Sequence, residues 1–307
     1  MKRRQFIEST LAGITAVSAQ MAWTNPQTLA QTAESNVPFS TDPVAPVQLT
    51  PDVKSTRVGM GTGVHGGMRQ CNLTRMDRTE ALDIVRYCYD QGIRFFDVAD
   101  MYGTHEIVRD ALKDKPRDSY TLSTKIWCHP GGIPEKERPT ADILVERFLK
   151  ELNTDYIDMV QIHCLTSDKW IEKFGYQMDP LEKLKKRGLI RAHGVSCHAL
   201  AAAQIAAVTP WVDSFHIRIN SANLRMDGTW DQNVDVCRTA RKNGKGVIAM
   251  KVLGEGAIKS PEERKRSTDA VTRLDCISMM IVGFEKHQHV DEFLTNVEET
   301  LKSMANV

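Results

Sequence analysis

The chain has 307 residues, 40 Lys and Arg against 39 Asp and Glu, with 41% apolar and 26% charged residues. That is an ordinary globular composition and excludes disordered, collagen-like and disulfide-scaffold classes. Charge this close to balance argues against a nucleic-acid partner, and no apolar run reaches the ~18 residues of a spanning helix, so an integral membrane protein is excluded as well.

The chain opens on Lys2-Arg3-Arg4-Gln5-Phe6-Ile7, followed by the apolar stretch 11–17 and the small residues Val17-Ser18-Ala19. A charged start, an apolar middle and a small-residue cleavage site make a signal peptide, and the paired arginines mark the twin-arginine kind. A frayed amphipathic helix is the alternative, but Glu8, Ser9 and Thr10 spoil its apolar face. The reading implies a periplasmic or otherwise exported protein with the twin-arginine export machinery as a partner. Such export is associated with proteins that fold, often around a cofactor, before they cross. Residues 23–50 are rich in Thr, Gln, Ser, Asn and Pro without a sustained period. The domain reading is therefore signal peptide and start of a tether over 1–33, flexible linker over 34–55, and one domain over 56–307.

From residue 57 onward short β-rich runs alternate with helical periods. The predicted strands are 57–60, 94–98, 120–126, 157–162, 192–196, 214–219, 246–250 and 277–282. Asp77 and Glu80 form a capping box and Gly92 ends that helix; Asp179, Pro180 and Glu182 start another that Gly188 ends. Leu144, Val145, Phe148, Leu149 and Leu152 recur at helical spacing, as do Val290, Phe293, Leu294, Val297 and Leu301. Eight β-then-α units predict a (β/α)8 TIM barrel. The rival is an open doubly wound sheet, supported by Gly61-Thr62-Gly63-Val64-His65-Gly66, which fits a dinucleotide fingerprint. That fingerprint needs a helix directly afterwards, and residues 67–72 have no helical period, so the match is read as a glycine-rich loop.

In such a barrel chemistry sits where strands end. Asp97 ends the second strand with Tyr102 in the following loop, Lys125 ends the third and His163 the fourth. Singly, each has a structural explanation: a helix cap, a packed ring, a solvated charge, a hydrogen-bonded core imidazole. Four on three neighbouring strands of one rim point to a site.

The stretch Phe96-Asp97-Val98-Ala99-Asp100-Met101-Tyr102-Gly103, with Ser123-Thr124-Lys125, Ile162-His163, residues 190–196 and residues 247–254, resembles the aldo-keto reductases over residues 57–301. The resemblance implies a barrel with a nicotinamide cofactor across its mouth and carbonyl reduction or its reverse. Hydride transfer to a carbonyl carbon builds negative charge on oxygen, where a proton donor is needed. Tyr102 is the implied acid. Lys125 would lower its pKa from ~10, each unit being worth ~1.4 kcal/mol, with Asp97 holding Lys125. His163 would orient the carbonyl and support the developing oxyanion.

By family position Ser196 and His216 face the nicotinamide amide, Met250, Lys251 and Leu253 line the dinucleotide path, and Thr62, Lys286 and Asn296 complete the cofactor set. His216 stands where the family has Gln, Cys197 where it often has Asn, and Met250 where it has a ring-stacking Tyr. Lys286 and His287 favour NADP(H) narrowly over NAD(H), as an ammonium suits a 2′-phosphate, while Glu292 stands where NADPH-preferring members usually carry Arg.

Seven cysteines form no disulfide ladder. Cys71, Cys128, Cys164 and Cys197, with His129, His163, His198 and His216, enrich the mouth in ligands that suit zinc or copper. No Cys-x-x-Cys pair supports a site, so no metal is assigned. Trp127, His129 and the segment 164–178, with Trp170, Phe174 and Tyr176, offer pocket walls for a small carbonyl or sugar substrate. The expected function is NAD(P)H-dependent oxidoreduction with Tyr102 as acid; a non-catalytic cofactor sensor or accessory subunit on the same barrel is the alternative.

Overall fold

Residues 39–306 are described by the structure, a computed structural model, and their first element is a hairpin where a linker was expected. Strands β1 (Pro46–Thr50) and β2 (Val53–Thr56) pair antiparallel, which corrects the second half of the 34–55 linker. The polar composition masked a short alternation. Leu49 and Val53 point away from water and pack against Phe95, Met159, Ala192, Ile248 and Met279, so the hairpin closes one end of a barrel. A Cβ on Gly246 would sit 2.4 Å from Leu49 O, and glycine is what lets the hairpin come that close. The twin-arginine segment lies outside the described residues.

Eight parallel strands make the barrel: β3 (Val58–Gly61), β4 (Phe95–Asp97), β5 (Thr121–Ile126), β6 (Ile157–Leu165), β7 (Ile190–Cys197), β8 (Ser214–Arg218), β9 (Gly246–Met250) and β10 (Met279–Val282), with β10 pairing back onto β3. The (β/α)8 expectation holds, and the open sheet does not. Helices α1 (Asn72–Arg75) and α2 (Arg78–Asp90) follow β3; α3 (His105–Leu112) and α4 (Ala141–Leu152) follow β4 and β5. Next come α5 (Trp170–Phe174) and α6 (Met178–Lys186), then α7 (Leu200–Val208), α8 (Trp230–Lys242), α9 (Pro261–Thr272) and α10 (His287–Ala305).

The helical periods face the strands as anticipated: Leu144, Val145, Phe148 and Leu152 of α4 are buried, as are Val290, Phe293, Val297 and Leu301 of α10. Asp77 caps α2 through Thr79 N at 2.8 Å. The cap expected at Asp179 is absent because α6 runs on from a 3₁₀ turn at Gly175–Gln177, held by Gln177 Nε2 donating to Pro139 O at 2.9 Å. The glycine-rich stretch 61–66 is a loop with no helix opening directly behind it; α1 begins only at Asn72 and lasts four residues.

Along each strand the inward side chains alternate, and their character changes from floor to mouth. Phe95 and Met159 lie in the apolar floor; Asp97 and His163, two and four residues on, lie at the mouth. Leu49 is 2% exposed in that floor. Leu49→Ala is expected to lower unfolding free energy by about 2–4 kcal/mol in urea titrations; a loss under about 0.5 kcal/mol, the size of an ordinary surface substitution, would show that the hairpin is not a structural floor.

Candidate active site

Asp97 turns inward because Phe95 does, two residues earlier in the same strand. Behind it the chain makes a 3₁₀ turn at Asp100–Tyr102 and reverses at Gly103 with φ of 69°, which swings Tyr102 back over the barrel mouth. Lys125 comes from the neighbouring β5 and His163 from β6. The structure brings these four together.

Lys125 Nζ donates to Asp97 Oδ2 at 2.5 Å and to Val98 O at 3.1 Å. Their side chains are 1% and 3% exposed, so neither charge has water to fall back on. His216 Nε2 lies 3.2 Å from the other oxygen, Asp97 Oδ1, but out of hydrogen-bond alignment. Tyr102 Oη is 3.3 Å from His163 Nε2, the two rings meeting edge to face. Lys125 Nζ stands 5.1 Å from the centre of the Tyr102 ring.

Burial would raise the Asp97 carboxyl, but Lys125 and then His216 outweigh it and hold it below the usual range. Burial lowers Lys125 although Asp97 opposes it. Burial, then the Lys125 charge, keeps His163 well below an ordinary imidazole, so it is neutral near pH 7. The Tyr102 phenol differs from expectation. Burial first and the Asp97 charge second push it well above 10. The Lys125 ammonium is bonded to Asp97 and stands over the ring, 5.1 Å from its centre.

The loop after β3 roofs this tyrosine. A Cβ on Gly63 would lie 2.3 Å from the Tyr102 ring and one on Gly66 2.7 Å from it. The two glycines thus make room for the phenol. In the sequence they imitate a phosphate-binding fingerprint.

A cleft of about 370 Å³ leads from Asp97 and Tyr102 along the ends of β9 and β10. Of the expected cofactor residues, Met250, Lys251, Leu253 and Asn296 line it. Four others do not. Thr62 Oγ1 donates to Asp97 O at 2.9 Å and bonds Thr104 Oγ1 at 2.8 Å, which pins the strand end. Ser196 Oγ accepts from Cys164 N at 2.9 Å. His216 is sealed beside Asp97, and neither of its ring nitrogens has a hydrogen-bond partner among the described residues. Lys286 is exposed at the start of α10, where the chain turns toward α2; His287 beside it stacks on Tyr87 at 3.7 Å and bonds Asp83 at 2.7 Å.

Sequence reasoning missed Arg264. It reaches from α9 into the cleft and grips Glu292 twice, Nε to Oε1 at 2.6 Å and Nη2 to Oε2 at 2.8 Å. The Glu292 charge, which by itself would repel a phosphate, is therefore neutralised by a residue 28 positions away with no local signal to announce it. Lys259 and His289 line the cleft with Lys251, paired with Glu255 at 2.9 Å, and Arg264, paired with Glu292; Glu285 lines it too, and Val252, Ile258, Phe284 and Phe293 give it apolar faces. A chain of aromatic rings joined by phosphates fits that donor set.

On the opposite side of Tyr102, Trp127 meets His163 edge-on at 5.3 Å, and His129 meets Phe174 at 4.8 Å. Trp170 is fully buried and is no pocket wall, because it packs into the layer between strands and helices. Burial raises the Cys128 thiol to about 11 and lowers His198 to about 3. Among the described residues no group of three or more His, Cys, Asp and Glu side chains converges as a metal site would.

The Aldo/keto reductase family profile matches residues 57–305. Aldo-keto reductase YhdN of Bacillus subtilis is 33% identical over 47% of this chain and 44% of its own length; glyoxal reductase of the same organism is 30% identical over 48% and 52%. The chain spans about half the length of these curated relatives. Among solved structures, a putative aldo-keto reductase from Pseudomonas aeruginosa aligns with a TM-score of 0.68 at 23% identity, covering 85% of this chain and 97% of that one. An aldo-keto reductase from Klebsiella pneumoniae, described in complex with NADPH, gives 0.63 at 20% identity, covering 82% and 89%. At such identities the likeness is one of fold.

The buried pair makes a stability prediction. Lys125→Met leaves Asp97 charged and alone, and is expected to cost about 3–5 kcal/mol at pH 7. Adding Asp97→Leu should return much of that loss. Because the Asp97 pKa is depressed on folding, its contribution is full above an unfolded value of about 4 and fades as pH falls through the lower folded value. Urea titrations of the single and double variants check it; an additive double variant would mean that the two charges do not depend on each other.

Proposed function

Since this chain belongs to the aldo/keto reductase family, we propose that it reduces a small carbonyl or sugar with NADP(H), using Tyr102 as general acid, as an exported enzyme. The observation that carries the acid assignment is a neutral phenol at the end of the cleft, 3.3 Å from a neutral imidazole and above the buried Lys125–Asp97 pair.

A bound nicotinamide supplies the hydride to the carbonyl carbon. The chain's own groups handle the oxygen. Tyr102, protonated across the ordinary pH range, gives its proton to the oxygen as negative charge develops there. His163 stands within reach of the same oxygen and offers a second polar contact. Lys125 and Asp97 hold the floor beneath the phenol, and the glycine-rich loop covers it against water. A proton from solvent along the cleft restores Tyr102.

The NADP(H) preference that the sequence attaches to Lys286 and His287 moves to Lys259, which lines the cleft where Lys286 does not, with Arg264 cancelling the Glu292 charge beside it. The Klebsiella relative's NADPH complex supports the same choice. With all four groups of the tetrad together, the non-catalytic sensor has no observation of its own. Export through the twin-arginine machinery rests on Arg3, Arg4 and the apolar stretch behind them. Free nicotinamide is scarce outside the cytoplasm, so the protein folds around its cofactor first and carries it across.

Tyr102→Phe should lower kcat for aldehyde reduction by about 10²–10⁴-fold while leaving cofactor affinity in place. Full activity in that variant would falsify the assignment of the acid. The raised phenol pKa sets the pH profile. Reduction needs the protonated phenol and should stay level to about pH 10; alcohol oxidation needs the phenolate and should climb steadily with pH. Steady-state rates in both directions test this, and a reductive limb near pH 8 contradicts it. Mature protein isolated from the exporting cell should release nicotinamide when denatured; cofactor-free protein with only weak affinity contradicts loading before export.

A further inference from the structure

The loop over Tyr102 is held in a demanding shape. His65, Met68 and Arg69 have φ of 51°, 53° and 55°, the left-handed region that side-chain-bearing residues avoid. Such a conformation persists only where its surroundings over-determine it. One side chain gathers the restraints. Arg69 Nε donates to Asp100 Oδ1 at 3.2 Å, its Nη2 lies 3.1 Å from the same oxygen, and its Nη1 donates to Glu135 Oε1 at 2.8 Å. Asp100 is 1% exposed, and its second oxygen accepts from Arg147 Nη2 of α4 at 2.8 Å. The backbone adds Arg69 N to Met101 O at 2.9 Å and Met68 N to Gly132 O at 2.8 Å. A Cβ on Gly103, the residue directly after Tyr102, would sit 2.2 Å from Arg69 O.

Three parts of the mouth meet at this guanidinium. One is the loop itself, whose Gly63 and Val64 line the cleft and whose Gly63 and Gly66 lie on the phenol ring. The second is the Asp100–Tyr102 turn. The third is the loop after β5, which holds Glu135 and Gly132 and carries Trp127; there Trp127 Nε1 donates to Gly131 O at 2.5 Å and the indole edge meets His163. A planar guanidinium can grip two carboxylates at once from one side chain, whereas an ammonium acts as a single point charge.

We propose that Arg69 is a positioning residue that clamps the loop over residues 62–71 onto the Tyr102 turn and the Trp127 loop, and so fixes the phenol against His163. The role rests on the reading of Tyr102 as the acid. Arg69 works through Gly63 and Gly66, which set where the ring lies. Displacement of a reacting group by ~1 Å costs on the order of 10²-fold in rate, so a loosened roof reads out in turnover.

The test uses the full chain with Arg69→Met and Arg69→Lys. In Arg69→Met, kcat for carbonyl reduction should fall about 10- to 100-fold and the carbonyl KM should rise. Amide exchange over residues 63–71 should quicken while the urea midpoint falls much less than in Lys125→Met, because Arg147 still pairs Asp100. Arg69→Lys should recover part of kcat, because its one charge can reach either carboxylate but not both. Wild-type kcat and exchange rates in Arg69→Met overturn the clamp. So does activity that falls only in step with the folded fraction and gains nothing in Arg69→Lys. Amide exchange needs no turnover, so a wild-type protein without carbonyl reductase activity would sink the proposed function while the clamp was still being measured.

Discussion

A lysine and an aspartate sealed inside a ring of eight strands have to stay together, since each is what makes the other's charge tolerable away from water. Lys125 and Asp97 are 1% and 3% exposed and share a 2.5 Å hydrogen bond. Separating two charges in so dry a place costs far more than an ordinary contact returns. The pair therefore fixes the depth at which β4 and β5 end, and with it the height at which Tyr102 can return over the mouth. It also fixes the character of the phenol. Burial first and the Asp97 charge second hold the phenol in its protonated form.

The same economy of placement governs the roof. Two glycines lie against the tyrosine ring where any side chain would collide with it. Three residues nearby adopt left-handed backbone, each at a cost of order 1 kcal/mol. Ionic and backbone contacts to two neighbouring segments offset that cost. Below, the hairpin of β1 and β2 closes the floor with Leu49 and Val53. The phenol is thus defined from beneath by charge, from above by shape, and from the side by His163.

Much of this is legible in the residues alone. The alternation of β-rich runs and helical periods leads to the closed barrel, and the positions of Asp97, Tyr102, Lys125 and His163 at strand ends lead to one rim. Inward alternation makes this work: two residues along a strand return to the same face. Local signals mislead where packing competes with them. Thr62 carries a hydroxyl near the mouth, yet Asp97 O and Thr104 claim it. Lys286 occupies a promising position in the chain, but the start of α10 turns it toward α2. The 34–55 linker hid a hairpin because two buried apolar residues, Leu49 and Val53, suffice when a barrel floor awaits them.

What the sequence determined by itself was what period and adjacency can encode: eight strands and helices, a tetrad at one rim, a glycine-rich loop with no helix directly behind it. Those signals act over a few residues, where backbone geometry dictates which side chains share a face. Only the tertiary structure decided the charge partners, because they lie far apart along the chain: Arg264 and Glu292 by 28 positions, Arg69 and Asp100 by 31, Arg69 and Glu135 by 66. A guanidinium binds whichever carboxylate packing brings within reach, and no pattern in the intervening residues says which one that will be.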